Sequence, residues 1–385
     1  MTSKKEIVGQ MLSEIGIQIN GPKRWDIQVQ DEIFYIRVLK DGSLGLGESY
    51  MEGWWDCPHI DEFICRLLKG NLEKKIKVNL QMLLFYLSAR IFNLQSPGRA
   101  HVIARRHYDL GNDLFFAFLD QHNQYSCAYF QGTDDLAEAQ EKKLDLICRK
   151  MNLQPGDHVL DIGCGWGGFA RYAAERYECK VTAVNISEEQ IRFARECCKN
   201  LPVTILHEDY RRIRGSFDKI VSVGMFEHVG LKNYKVFMEV VHRNLKEKGI
   251  FLLHTIGGNA SGVNCDPWIN RYIFPNGTLP SLAQIGKAVE GLFVIEDVHN
   301  LAPHYKETLM RWNDRFQEAW SGLAERYDRT FKRMWEYYLL SCAGAFCARQ
   351  IQVWQIVMTK VGADQPPCRY GEEGANARHS ETTFC

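Results

Sequence analysis

The sequence has no net charge: 47 Lys plus Arg are matched by 47 Asp plus Glu over 385 residues. A dedicated DNA- or RNA-binding protein shows a basic excess, so no nucleic-acid partner is expected. None of the 13 cysteines forms a Cys-x-x-Cys pair, which argues against a zinc ribbon or a thioredoxin-like redox pair. Their odd number and wide scatter suit structural thiols in a reducing compartment. No apolar stretch follows MTSKKEIVGQ, so no signal peptide is expected. The most apolar run, Val78 to Leu94, is broken by Asn79, Gln81, Ser88, Arg90 and Asn93, and does not read as a membrane span. These absences together describe a soluble, cytoplasmic protein. At 45% hydrophobic and 24% charged residues the chain is compositionally globular, so wholesale disorder is excluded. Its length suggests two or three domains.

Ser96-Pro97-Gly98 is the clearest punctuation of the first half. It divides an N-terminal region, 1–95, from a second domain by a linker at 96–100. From 101 to 362 apolar strand-like runs alternate with helical stretches, the pattern of an α/β fold with a doubly wound, mostly parallel sheet. Seven strands are expected: His158–Ile162, Val181–Val184, Val203–Leu206, Phe217–Val223, Ile250–His254, Phe293–His299 and Ile351–Thr359. Helices are expected over Phe169–Tyr177, Ser187–Lys199 and Tyr234–Leu245, and through the long stretch Tyr305–Arg349. In that stretch Trp312, Phe316 and Trp320 recur every fourth residue, the spacing of a packing face. The tail, 363–385, is polar, contains Pro366-Pro367, and reads as poorly ordered.

The segment HVLDIGCGWGG runs from an apolar strand through Leu160, Asp161 and Ile162. It then enters a turn, Gly163-Cys164-Gly165-Trp166-Gly167-Gly168, followed by a helix. Glycines let a ligand approach the main chain. A dinucleotide site requires GxGxxG, with a pyrophosphate at the helix start. Here the spacing is GxGxGG and an acid directly precedes the loop. Asp161 suits a cofactor that has an ammonium group and no pyrophosphate, as S-adenosylmethionine does. The second strand usually ends in an acid for ribose hydroxyls, but this one supplies Asn185 followed by Ile186. The Asn185 amide can hydrogen-bond a hydroxyl. Ser187 and Gln190 can assist, although Ser187 reads equally well as a helix N-cap. After the third strand, Asp209, beside Tyr210, can accept from an adenine amine.

Further motifs surround this one: GSLGLGESYMEGWW (Gly42–Trp55), HYDLGNDLF (His107–Phe115), QYSCAYF (Gln124–Phe130) and VSVGMFEHVG (Val221–Gly230). FLLHTIG (Phe251–Gly257), PWINRYIFPNG (Pro267–Gly277) and SCAGAFCAR (Ser341–Arg349) follow. Together they closely resemble the cyclopropane-fatty-acyl-phospholipid synthases and their mycolic-acid relatives, over nearly the whole chain. The resemblance implies a Rossmann-like methyltransferase sheet and transfer of a methylene from S-adenosylmethionine to a cis double bond of an unsaturated phospholipid. It implies a bound bicarbonate as base, held by Cys127, Glu227, His254, the backbone of Ile256, and Tyr305. It adds Tyr125 and Ser126 to the cofactor contacts and implies a homodimer. Cys342 stands where a catalytic cysteine has been assigned, although methylenation of an alkene needs no thiolate and its neighbours look like a buried helix face.

Without the resemblance these residues read more blandly. His254 would be a satisfied group at a strand end, Glu227 a helix-start acid, and Cys127 a buried thiol. No metal is expected, because His228, His254 and Cys127 lack ligand spacing.

Charge is unevenly spread. Arg66 to His107 holds nine basic residues and one acid, Glu73, so this segment is about +8 and the remainder about −8. Leu83, Leu84, Leu87, Ile91 and Leu94 fall at helical spacing within it. Such a stretch can lie peripherally on an anionic bilayer, here the inner face of the cytoplasmic membrane, or can pack the N-terminal domain with its lysines solvated.

Overall fold

The structure is a computed structural model and describes residues 3–71, 111–262 and 265–368. Seven strands form one sheet: β1 (His158–Ile162), β2 (Lys180–Asn185), β3 (Val203–His207), β4 (Phe217–Val223), β5 (Leu245–Gly258), β6 (Phe293–Asn300) and β7 (Ile351–Lys360). Their spatial order is β3-β2-β1-β4-β5-β7-β6. The first five pair in parallel, whereas β7 runs antiparallel to both β5 and β6. The order reverses between β1 and β4, and a crevice opens at the carboxyl ends of strands at such a switch point.

All seven strands expected from the apolar runs are present. β5 differs most from expectation, extending to Gly258 because β7 supplies a partner along its whole outer part, as far as Gly258 opposite Ile351. It thereby outruns β4, whose pairing stops at Val223 opposite His254.

Strand side chains alternate between two cores. Val159 and Val221 join Leu144, Ile147, Phe169 and Ile191 on one face. These come from α5 (Leu136–Lys150), α6 (Gly168–Tyr177) and α7 (Glu188–Cys197). Leu160 and Ile220 join Phe237, Val241 and Ile285 on the other, from α8 (Tyr234–Asn244) and α10 (Leu282–Val289). The sheet is therefore doubly wound. Each fully buried Leu, Ile or Phe contributes about 1.5–3 kcal/mol.

A third core joins the N-terminal residues to the end of the chain. It contains Trp55 and Phe63 together with Trp335, Tyr337 and Phe346. The contributing elements are α1 (Lys4–Ser13), α2 (Ile33–Met51), α3 (Ile60–Lys69), α4 (Asn112–Phe118), α11 (Ala302–Leu323) and α12 (Arg329–Cys347); α9 (Pro267–Tyr272) adds Trp268. The helical stretch expected over Tyr305–Arg349 is two helices. Asp328 breaks it by capping α12, its carboxylate accepting the Phe331 N–H at 2.7 Å. Trp312 and Phe316 are buried and Trp320 is half-buried, as a packing stripe requires. Arg333 ties α12 to the N-terminal region. It donates to the carbonyls of Tyr50 (2.5 Å) and Trp55 (2.8 Å) and stacks 3.9 Å from the Tyr50 ring.

The described cysteines form no disulfide. Cys368, in the segment expected to be poorly ordered, buries its side chain against the α5–α7 face. No helix of the described residues is long and apolar enough to cross a membrane. Of the basic stretch 66–107 only 66–71 is described, with the Arg66 guanidinium 3.7 Å over the Trp25 ring. The run Val78–Leu94, the linker 96–100 and most of the tail lie outside the described residues.

Candidate active site

β1 ends at Ile162, and the chain turns through Gly163 into α6. Gly163 has φ 87°, and a Cβ there would sit 2.6 Å from the Met225 side chain. At Gly168 a Cβ would run into the His122 carbonyl oxygen and the Gln124 amide, so the segment 122–126 lies directly against the start of α6. Only glycine allows that approach.

Between these segments lies a cavity of about 170 Å³ at the switch point. Its wall contains Asp161, Ile162, Gly163, Cys164, Gly165 and Trp166 from the loop after β1, and Tyr125 and Ser126 from the segment opposite. Asn185, Ile186 and Gln190 close it beyond β2, and Asp209 and Tyr210 beyond β3. Four residues expected at the cofactor are not on the wall. Leu160 turns into the opposite core, Gly167 and Gly168 make the turn and helix start, and Ser187 caps α7, accepting the Gln190 N–H at 3.5 Å. Asn123, Gln124, Glu208, Arg211, Met225 and His228 also line the cavity. Gln124, Met225 and His228 belong to the motifs QYSCAYF and VSVGMFEHVG, where residue type alone does not mark them as cavity wall, whereas Asn123 and Arg211 lie in loops without a motif.

The polar groups of the wall are unequally committed. The Asn185 amide donates to the Gly165 carbonyl (3.2 Å) and to Gln190 Oε1 (2.9 Å), and its Oδ1 accepts the Ile186 N–H (2.7 Å). Asn185 therefore braces the loop while lining the cavity. Asp209 is gripped by Arg211 at 2.8 and 2.5 Å. Asp161 contrasts with both: it is buried, its Oδ2 has no hydrogen-bond partner, and burial pushes its carboxyl up to about 7. A buried carboxylate oxygen without a partner is costly and fits the ammonium of a ligand in the cavity.

Behind this cavity, where β5 overhangs β4, a second group gathers. Glu227 sits in a short turn after β4 and accepts the Ile256 N–H on Oε1 at 2.6 Å. Its Oε2 has no partner, and burial pushes the carboxyl up to about 7. His254 meets Gln355 of β7 through Nδ1 at 3.4 Å, while its Nε2 is buried without a partner. Burial holds this imidazole neutral, well below its ordinary range. Cys127 is fully buried and donates to the carbonyls of Ala128 (3.2 Å) and Leu301 (3.7 Å), its thiol driven far up by burial. Tyr305, one helical turn beyond Leu301, lies within electrostatic reach of Cys127 and Glu227 and is held protonated by burial. Its ring packs 4.7 Å from Phe346 and edge-on to Trp312. Cys342 lies among the same aromatics. Its thiol is pushed up to about 12, first by burial and then by Asp266, the direction that disfavours a thiolate.

The site thus combines a cavity lined by the loop after β1 with a set of buried polar groups packed among aromatic rings. Tyr125 joins the two, lining the cavity while packing 5.2 Å from the Trp312 ring.

Residues 96–356 match the family model described as mycolic acid cyclopropane synthetase. The chain is 53% identical over 354 residues to the cyclopropane-fatty-acyl-phospholipid synthase of Escherichia coli (strain K12), covering 92% of this chain and 93% of the relative. The cyclopropane synthase MmaA2 from Mycobacterium tuberculosis superposes with a TM-score of 0.64 at 32% identity, covering 70% of this chain and all of that one. The mycolic acid cyclopropane synthase CmaA1, solved with SAH and CTAB, superposes with a TM-score of 0.63 at 33% identity, covering 68% of this chain and 98% of that one.

Proposed function

The chain belongs to the mycolic acid cyclopropane synthetase family, and from that premise we propose that it moves a methylene from S-adenosylmethionine onto a cis double bond of a phospholipid acyl chain, closing a cyclopropane ring. The observation that carries this reading is a pair of buried carboxylates, Asp161 near the end of β1 and Glu227 just after the adjacent β4, each with an unpartnered oxygen. Asp161 lines the cavity, and Glu227 accepts from Ile256, two residues beyond His254 on β5, with Tyr305 within electrostatic reach.

S-adenosylmethionine, when bound, supplies an electrophilic methyl group. Asp161 accepts the ammonium of its amino-acid end, and Tyr125, Ser126, Gln190 and Asp209 form the surrounding wall. An alkene that has taken up a methyl carries positive charge and a proton to lose. Tyr125, Tyr305 and Trp312 offer π-faces to that charge, worth about 2 kcal/mol or more per ring in a dry site. Their packing also excludes the water that would hydrate the cation. Bicarbonate, when bound, supplies the proton acceptor; the orphaned atoms Glu227 Oε2 and His254 Nε2 fit a small oxyanion that both donates and accepts. Tyr305 offers a further donor, and Cys127 adds its own only if its S–H leaves the carbonyls of Ala128 and Leu301. Ile256 can hold it through its N–H only if Glu227 releases that hydrogen. The basic stretch 66–107 brings the enzyme to an anionic bilayer, where its substrate lies.

The test incubates purified protein with S-adenosylmethionine and monounsaturated phospholipid vesicles. Acyl chains gain one CH2 and lose the olefin signal. Absence of any product with cis-unsaturated lipids overturns the reading, and a saturated chain with a methyl branch in place of a ring narrows it to methyl transfer. Charge reversal of Lys74, Lys75 and Lys77 weakens sedimentation with anionic vesicles at low salt, and unchanged sedimentation refutes the bilayer contact.

A further inference from the structure

α5 carries a charge that neither the cofactor motif nor the pocket above accounts for. Lys143 is fully buried, and its ammonium donates to Gln124 Oε1 and, at 3.0 Å, to Ser126 Oγ. The acceptors belong to a segment that is itself tightly organised. Asp120 accepts the N–H groups of His122 (2.7 Å) and Gln124 (2.8 Å), and Gln140 donates to the Ser126 carbonyl at 2.9 Å. Gln124 and Ser126 both line the cavity opposite Asp161.

A serine hydroxyl has one hydrogen to give. Because Ser126 Oγ already accepts from the Lys143 ammonium, that hydrogen must point elsewhere, and the cavity is where this side chain has its open boundary. The wall thus presents a polarised O–H donor from Ser126 and an unpartnered carboxylate oxygen from Asp161. A donor and an anionic acceptor in one small cavity match a group that carries a carboxylate and an ammonium on the same carbon. Burial pushes the Lys143 ammonium down to about 8, opposed by Asp120, Cys127 and Asp161.

We infer that Lys143 is the positioning residue for the amino-acid end of the cofactor: it fixes Ser126 with its hydroxyl hydrogen turned toward the ligand carboxylate while Asp161 takes the ammonium. This rests on the cofactor assignment proposed above. Lys143 touches no reacting atom; it acts through Ser126 and Gln124.

The experiment compares two ligands by titration calorimetry at pH 7.5: S-adenosylhomocysteine, which has the amino-acid end, and 5′-methylthioadenosine, which lacks it. Lys143→Met keeps most of the length of the side chain and removes the charge. It is expected to weaken S-adenosylhomocysteine binding about 10- to 150-fold, the range for losing hydrogen bonds to charged groups, and to leave methylthioadenosine within about twofold. Ser126→Ala is expected to show the same selectivity, and it decides the matter if Lys143→Met does not fold. Equal weakening of both ligands, the signature of a merely structural lysine, overturns the inference, as does unchanged S-adenosylhomocysteine affinity. If the unsubstituted protein binds neither ligand, the cofactor assignment fails and the inference falls with it.

Discussion

Asp161 makes a quantitative prediction, because the same burial that suits it to an ammonium also costs the folded protein stability. Its carboxyl rises from 3.8 to about 7 on folding, a gap equivalent to about 4 kcal/mol. For an acid whose folded pKa is raised, the folded state holds a proton that the unfolded state has already lost. Stability from this group therefore falls as pH rises from about 4 to about 7, and the full cost is present above 7. Asp161→Asn removes the charge but keeps a buried polar group, which itself costs about 1–3 kcal/mol. The ligand-free variant is expected to be more stable than the parent at pH 8 by about 1–3 kcal/mol, and to show no gain at pH 4. Binding moves the opposite way. Only the ionised carboxylate accepts an ammonium well, so the dissociation constant for S-adenosylhomocysteine should scale as 1 + 10^(pKa − pH): about 11-fold weaker at pH 6 than its limit at high pH, and about twofold weaker at pH 7. In the variant that dependence is lost, and at pH 8 affinity drops about 10- to 150-fold, the equivalent of a charged hydrogen bond. Calorimetric titrations from pH 6 to 8, with chemical denaturation of both proteins, read all of this. Equal affinity of the parent at pH 6 and pH 8, or parental affinity in Asp161→Asn, refutes the reasoning.

Glu227→Gln should lower turnover at least 100-fold while sparing S-adenosylhomocysteine affinity, and turnover of the parent should fall as pH drops through about 7, where this carboxyl takes up its proton; steady-state rates against pH, with binding as control, check both. Gly168→Ala places a methyl against the His122 carbonyl and is expected to abolish S-adenosylhomocysteine binding and to lower the melting temperature, measured by calorimetry. Arg333→Met removes two carbonyl contacts and the stacking on Tyr50, a loss of about 2–4 kcal/mol; urea unfolding followed by tryptophan fluorescence should show the earlier midpoint.

The sheet was legible because its strands are short apolar runs between turn residues, and β1 falls on His158–Ile162 as the alternation predicts. Asp161 was legible for another reason: an acid between a buried strand and a glycine turn has little structural use. Lys143 could not be read in the same way. In the helix AQEKKLDL it looks like one of a solvated pair with Lys142, and only the fold shows that Lys142 reaches outward to Gln131 while Lys143 turns in. Asn185 carries a related ambiguity, because an amide able to meet a ribose is equally able to brace its own loop. The break at Asp328 escaped notice because a capped helix start inside an otherwise continuous helical pattern carries no proline. Nor does periodicity reveal that Arg333 reaches residues nearly three hundred positions earlier in the chain.

The antiparallel insertion of β7 has a consequence for the order in which this molecule is built. β7 is the last of the seven strands along the chain, yet it occupies an interior lane between β5 and β6. Until Ile351–Lys360 has emerged, β5 and β6 both expose bare edges lined with apolar side chains, the kind of surface that pairs with a neighbouring chain. His254 must also wait, because the Gln355 that meets it arrives on this strand. A ribosome-bound chain that stops short of β7 therefore has a sheet split in two and a His254 that lacks Gln355. Chaperone demand should peak in that interval of synthesis, and catalytic competence should appear in one step, when the last lane is filled.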